Sequence, residues 1–518
     1  MAVSIDLLTA TASDIQSRLS NQTITSTQLV KLYLNQIAQY DGYLKAVIAV
    51  APEDLLTKTA AVLDQERAKG TVRGPLHGIP ILIKDNIVTG PELGLPTTCG
   101  SLALVGSKPK RSAAVVGKLV AAGAIILGKA NLSEWAWYRS DLADSGWSAV
   151  RGQTQSAYVR GGFRHDDSGG GHSNPGGSSS GSAVAVAAGF SPLSLGTETM
   201  GSLIMPSDRS ALYTIKPTLK IVSQDGIIPV SFEADMIGPM AKSVLDLANL
   251  LDAIVDPTKT TVPRGGYSSV VTGDWGDIRI GVLEPEKWLF PPVIVKYEKQ
   301  ASDQMHRDWK AAYERLASVV KVVKPVTLLS TDESTEHGKK DINDAFHCKF
   351  KTLLESYLAN DVDDCRIHTL KDLIKFNEDH ADQELPPSAD NQNGLIRALE
   401  RDGTMTDEEY NSLVNYARDR CGRQGIDKVL DENGVDVIVG PGDGPLFVIS
   451  GTAGYPGASL PLGYLDFNGR PFGLQVIAKA HQEALLIQVQ SAWEATFPQR
   501  RPPPLDDIVG GKSKKEEL

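Results

Sequence analysis

Residues 78–83, Gly-Ile-Pro-Ile-Leu-Ile, carry no polar side chain, and the run stops abruptly at Lys84. Successive residues of a strand face opposite sides, so a strand apolar on both sides must be covered on both sides. Downstream, 113–122 reads as a helix closed by Gly123, and 124–127 as a short apolar strand. Strand, helix, strand is the rhythm of a sheet sheathed in helices, and it predicts an α/β fold with a large mixed β-sheet covered by helices on both faces. Upstream, Thr25-Ser26-Thr27 offers N-cap hydroxyls to a helix whose Leu29, Leu32, Tyr33 and Ile37 share a face. The run KAVIAV from Lys45 reads as a buried strand and 52–69 as a helix. Further strands are expected at 278–283 and 435–439, with amphipathic helices at 297–318 and 407–422. The stretch 330–430 is polar, helical and without motifs.

No repeat or low-complexity linker divides the 518 residues. One domain is expected over 1–505, with its catalytic core at about 74–250 and a C-terminal completion at about 430–500. From Arg500 the chain is Pro-rich and then charged, so 506–518 is expected to be an extended, flexible tail. Its last residues, KEEL, resemble an ER-retrieval signal, an address without use to a chain lacking an entry signal. The N-terminal MAVSIDLLTATASDIQSRL has no basic region and no continuous apolar run, which points to a cytoplasmic protein. The apolar stretch 119–128 is half the length of a membrane span. A net charge of −11 argues against a surface that coats phosphates, so neither nucleic acid nor membrane is an expected partner. Cys99, Cys348, Cys365 and Cys421 lack CxxC spacing and read as reduced thiols.

Four short matches fail on chemistry. Gly123 to Lys129 has P-loop spacing, but its interior is an apolar strand and Ala130 stands where a magnesium-binding hydroxyl belongs. Ser107-Lys108-Pro109-Lys110 fits SxxK, yet its serine sits among loop-formers before the helix begins. Gly177-Ser178-Ser179-Ser180-Gly181 fits a nucleophile elbow, with His481 downstream, but GGGHSNPG precedes it in place of a strand. His165, Asp166, Asp167 and His172 could ligate a metal, but glycines surround them and no regular element fixes them.

A constellation remains. Burial at the end of its strand would depress the Lys84 pKa and let it act as a neutral base. Residues 176–182, GGSSSGS, crowd hydroxyls onto a turn that runs into a small-residue helix at 183–188. Residues 196–202, GTETMGS, form a second such turn, with backbone amides free to point at an anion. In this order the motifs resemble the amidase signature family of serine hydrolases. The likeness runs from TASDIQSRLSNQTITSTQLV through GPLHGIPILIKDNI, GKANLSEW and both serine loops to GYPGASLPLGY and NGRPFGLQVI. It is strongest toward the peptide amidases and fungal-type amidases.

The resemblance implies the amidase signature fold and hydrolysis of a linear carboxamide through a Ser-Ser-Lys triad. Lys84 would be the base, Ser178 the bridging serine and Ser202 the nucleophile that forms an acyl-enzyme. The backbone of Thr199, Met200, Gly201 and Ser202 would form the oxyanion hole. It also implies a cis peptide bond at Gly177-Ser178, no cofactor, no metal, and a monomer or homodimer acting on a small-molecule or peptide amide. Two departures stand out. Met200 replaces the usual Asp or Gly, which would cost about 1 kcal/mol if the turn needs a left-handed residue there. The segment 160–173, RGGFRHDDSGGGHS, is longer than in peptide amidases and precedes the bridging serine. Two alternatives are a glutaminase-type subunit of an amidotransferase and a catalytically degenerate amidase acting as a binding protein.

Overall fold

A computed structural model describes residues 5–513 except 142, 336 and 339. Its described strands are β1 (Val47–Val50), β2 (Pro80–Lys84), β3 (Ile125–Ala130), β4 (Leu193–Glu198), β5 (Tyr213–Lys216), β6 (Met236–Ala241), β7 (Arg279–Val282), β8 (Val322–Pro325), β9 (Val437–Pro441), β10 (Gly457–Tyr464) and β11 (Pro471–Ile477). They join one 11-stranded sheet in the order β1-β3-β2-β4-β6-β5-β10-β11-β9-β7-β8. β2 runs parallel to β3 and β4, β7 runs parallel to β8 and β9, and the remaining pairs are antiparallel. Every residue of β2, β3, β4, β6, β9 and β11 is buried. Since neighbours on a strand face opposite ways, the middle of the sheet is covered on both sides, as the apolar run at 78–83 requires.

The helices flanking the sheet include α1 (Ala12–Ser20), α2 (Ser26–Leu44), α3 (Glu53–Ala68), α4 (Ala114–Ala121), α5 (Ser180–Ala187), α6 (Ile204–Asp208), α7 (Val244–Ile254) and α8 (Lys299–Val319). α2 opens on a capping box: the Gln28 amide donates to Thr25 Oγ1 at 3.1 Å, and the Thr25 amide to Gln28 Oε1 at 3.0 Å. Leu29, Tyr33 and Ile37 are buried beneath it. The motif-poor stretch folds into helices Ile342–Asn360, Leu370–Asp379, Asn393–Arg401 and Asp407–Cys421. Phe350, Leu354, Leu373 and Leu395 from these helices share an apolar cluster with Val88, Leu104 and Trp135. Phe346, Met405 and Leu413 form a second cluster with Ala234, against which Met200 packs.

Two expectations are corrected. The KAVIAV strand is not fully buried: β1 is the outermost strand and only Val47 is enclosed. The segment after Arg500 is not extended throughout, because Leu505–Ser513 is helical. Leu505 and Ile508 are buried, and Tyr40 Oη donates to Asp506 at 2.7 Å. Arg500 fastens the preceding strap by donating to the carbonyls of Leu8 and Ala187, each at 3.0 Å. The KEEL residues lie outside the described residues. Among the described residues no helix is long and apolar enough to cross a membrane.

Candidate active site

Lys84 ends β2 between two parallel neighbours, where the surrounding side chains leave it no exposure. Its Nζ lies 2.8 Å from Ser178 Oγ and 3.1 Å from the Thr197 carbonyl oxygen. Burial lowers its pKa to about 7, against smaller opposing pulls from Cys99, Asp235 and Glu198. Among the described residues no carboxylate stands within ion-pair distance of it.

The Ser178 loop is not a flexible linker, since residues 170–188 are all buried. Gly176 takes φ +74° and the Gly177-Ser178 peptide is cis, as the resemblance implies. The Ser178 carbonyl accepts from the Ser133 amide at 3.0 Å. Ser179 laces the loop to β4: its Oγ donates to the Thr197 carbonyl at 2.9 Å and accepts from the Thr197 amide at 3.2 Å. α5 begins at Ser180, three residues before the expected small-residue run. A Cβ at Gly181 would stand 2.5 Å from backbone atoms of Asn131, so glycine alone fits there.

The turn after β4 is drawn to the same place by the Ser179 amide, which donates to the Ser202 carbonyl at 3.3 Å. Glu198 Oε2 accepts from the amides of Leu203 at 2.7 Å and Ile204 at 3.1 Å, folding the chain back into α6. No acceptor among the described residues faces the backbone amides of Met200, Gly201 and Ser202, or bonds the Ser202 hydroxyl. Lys84 and Ser178 have no exposure, whereas Ser202 retains 7%. The condition for strain at Met200 is not met: the left-handed residue of the turn is Gly201, at φ +88°. A Cβ on Gly201 would overlap the ring of Phe447. Thr199 Oγ1 donates to Asp235 Oδ1 at 2.6 Å.

The long 160–173 segment is anchored from beneath. Arg209, just past α6, donates to the carbonyls of Gly171 at 2.6 Å and Gly170 at 2.7 Å and to Asn174 Oδ1 at 2.9 Å. Its guanidinium also meets Asp443 at 3.0 Å, and Arg470 meets the other Asp443 oxygen at 2.5 Å. Burial alone would raise the Asp443 carboxyl, but the two arginines hold it well below the usual range. Burial, reinforced by Arg470, lowers the His172 pKa to about 3.

The rejected matches sit accordingly. Asp166 pairs with Arg164 at 2.5 Å, His165 faces Asp144 at 3.7 Å, and Asp167 accepts the Ser173 amide at 2.7 Å. The P-loop match is β3, whose Lys129 is buried and donates to Thr97 at 3.0 Å. Ser107 lies in a loop ahead of α4, and His481 faces Thr260 at 3.2 Å at the surface.

Ser179, Glu198, Arg209 and Asp235 escape a reading of the sequence. Each acts on chain far from it in sequence or on backbone atoms, contacts that leave no local signature.

Residues 28–445 match the family described as Amidase. A protein of Arabidopsis thaliana named as a probable amidase is 35% identical over 509 residues, covering 95% of this chain and 91% of that protein. The native peptide amidase of Stenotrophomonas maltophilia superposes with a TM-score of 0.82 at 37% identity, covering 96% of this chain and 99% of that one. One of the subunits of the glutamyl-tRNA(Gln) amidotransferase of Symbiobacterium thermophilum is 27% identical over 508 residues, covering 94% of this chain and 97% of that protein. With the 11-stranded mixed sheet, the buried lysine at its second strand and the paired serine loops in place, the chain belongs to the amidase family.

Proposed function

We propose that the protein hydrolyses the C–N bond of a linear carboxamide, giving a carboxylic acid and ammonia or an amine, with Lys84, Ser178 and Ser202 as the catalytic groups. The observation that carries this reading is a fully buried lysine, with a pKa lowered to about 7, lying 2.8 Å from a buried serine hydroxyl. A neutral amine here donates one N–H to the Thr197 carbonyl and keeps a lone pair that can accept the proton of the Ser178 hydroxyl 2.8 Å away. Ser178 passes its proton to Lys84 and takes the proton of Ser202, whose Oγ bonds to the amide carbon. The carbonyl π pair moves onto oxygen, opposite the unengaged amides of Met200, Gly201 and Ser202. Collapse of this intermediate breaks the C–N bond, and the nitrogen leaves with the proton returned through Ser178. Water, deprotonated by the same relay, then attacks the ester of Ser202 and frees the acid.

The Lys84–Ser178 pair also weighs against a degenerate binding protein, which has no use for a buried neutral base. The peptide amidase likeness supports an amide attached to a peptide or similar acyl group, and Met200 favours an apolar one over a cation. The test is ammonia release from a panel of peptide, aryl and aliphatic amides, with free glutamine included. Turnover of peptide or aliphatic amides by the purified chain supports the proposal. Activity on glutamine alone, and only with co-purifying subunits, would favour the amidotransferase reading, and no release from any amide would leave a binding protein.

A further inference from the structure

β4 and β6 run antiparallel, pairing Glu198 with Met236 at the end of the ladder. One residue beyond each strand stand Thr199 and Asp235, so a side-chain bond continues the ladder where the backbone bonds stop. Asp235 is 4% exposed. Its Oδ2 accepts from the amides of Val230 at 2.8 Å and Ser231 at 2.9 Å, and its Oδ1 accepts from Thr199 Oγ1 at 2.6 Å. The two amides lock the carboxylate into a closed turn, itself pinned by the Asp235 amide donating to the Ser231 carbonyl at 2.8 Å. Arg418 of helix Asp407–Cys421 holds the neighbouring Glu233 through its carbonyl and carboxylate, both at 2.9 Å. The carboxylate is therefore a fixed point, and what it holds is the start of the Thr199 turn, whose next three amides have no acceptor among the described residues. Thr199 is also where β4 leaves the sheet, so without this bond nothing on the Thr199 side chain fixes the direction in which the turn departs.

Resting on the reading that Ser202 is the nucleophile, we propose that Asp235 is a positioning residue: through the Thr199 hydroxyl it fixes the turn that presents Met200, Gly201 and Ser202 to the Lys84–Ser178 pair. Its charge has a second effect. The groups that bear on Lys84 are Cys99, Asp235 and Glu198, and each favours the ammonium form. Burial raises the pKa of Asp235 itself to about 6, so above that pH it is ionised. Removing its charge lowers the Lys84 pKa and moves the acid limb of kcat/KM to lower pH.

The experiment compares full-length Thr199→Val, Thr199→Ser and Asp235→Asn with wild type on the best amide, with thermal melts as a check on folding and Lys84→Ala as control. Thr199→Val keeps the shape and loses the donor, so kcat should fall roughly 10- to 100-fold with KM within about twofold. Thr199→Ser should restore most of it, and Asp235→Asn should shift the acid limb downward. Folded Thr199→Val at the wild-type rate, or Thr199→Ser as slow as Thr199→Val, overturns the inference, as does an unmoved acid limb in folded Asp235→Asn. Should Asp235→Asn not fold, the two Thr199 variants decide alone. An active Lys84→Ala would instead overturn the relay on which the inference rests.

Discussion

Gly201→Ala tests whether the turn before Ser202 is held by its packing. Gly201 has φ +88°, where a side chain costs about 1 kcal/mol. Its new Cβ would also meet the Phe447 ring, with even Cδ2 only 2.7 Å away. Carbon atoms rest at about 3.5 Å or more, so ring or turn must move by roughly 1 Å. The ring has little room: Phe447 is 5% exposed, clusters with Ile204 and Met205, and lies 5.6 Å from the Phe290 ring. The displacement falls on the turn, and a misplacement of about 1 Å costs on the order of 100-fold in rate. Steady-state kinetics should therefore show kcat down by about 100-fold with the melt little changed. Gly201→Ala/Phe447→Leu, which removes the far ring carbons, should recover the part of the loss due to collision and keep the part due to φ. Gly201→Ala turning over within twofold of wild type, or a double variant no faster than the single one, would refute the argument.

Lys84→Ala should lose at least about 10³-fold in kcat and stay folded, and wild-type kcat/KM should rise through about pH 7 as Lys84 loses its proton. Because the folded-state pKa lies below that of the unfolded chain, whose lysine still binds a proton up to its ordinary range, Lys84 destabilises most at low pH. Differential scanning calorimetry should find inactive Lys84→Met melting above wild type at pH 7, the gap narrowing as pH rises toward 10.5. Arg209→Met leaves Asp443 with a single arginine and the carbonyls of Gly170 and Gly171 without their donor; chemical denaturation should show a loss of about 3–5 kcal/mol. Met200→Asp places a carboxylate against Phe346, Met405 and Leu413, and kcat/KM across apolar and polar amides should show the ranking change more than the rate on the best substrate.

What was legible in the sequence was what short-range chemistry writes there. An unbroken apolar run demanded a strand covered on both sides, and β2 meets that demand; the lysine at its end could be solvated or buried by sequence alone, and Lys84 is buried. The serine loops were visible as crowded hydroxyls among glycines, although their resemblance to a family, and not their spacing, assigned them roles. The polar stretch after 330 hid its function because its apolar residues serve one another and the Met200 turn, contacts with no local signature. β1 looked buried because edge and central strands share a composition, and only pairing order separates them. The segment after Arg500 looked extended because neither the docking of Leu505 and Ile508 nor the two bonds of Arg500 can be read from a Pro-rich run. The Asp or Gly usual at position 200 left a left-handed residue open there, but the turn takes its positive φ one residue later, at Gly201. Asp235 was invisible for the same kind of reason: an isolated acid becomes informative only when β6 is laid beside β4.

Treating the enzyme with a fluorophosphonate and mapping the adduct by peptide mass spectrometry shows whether Ser202 is the nucleophile. One adduct is expected, on Ser202, and none on Lys84→Ala under the same exposure. An adduct on Ser179, the serine a nucleophile elbow would use, would contradict that assignment.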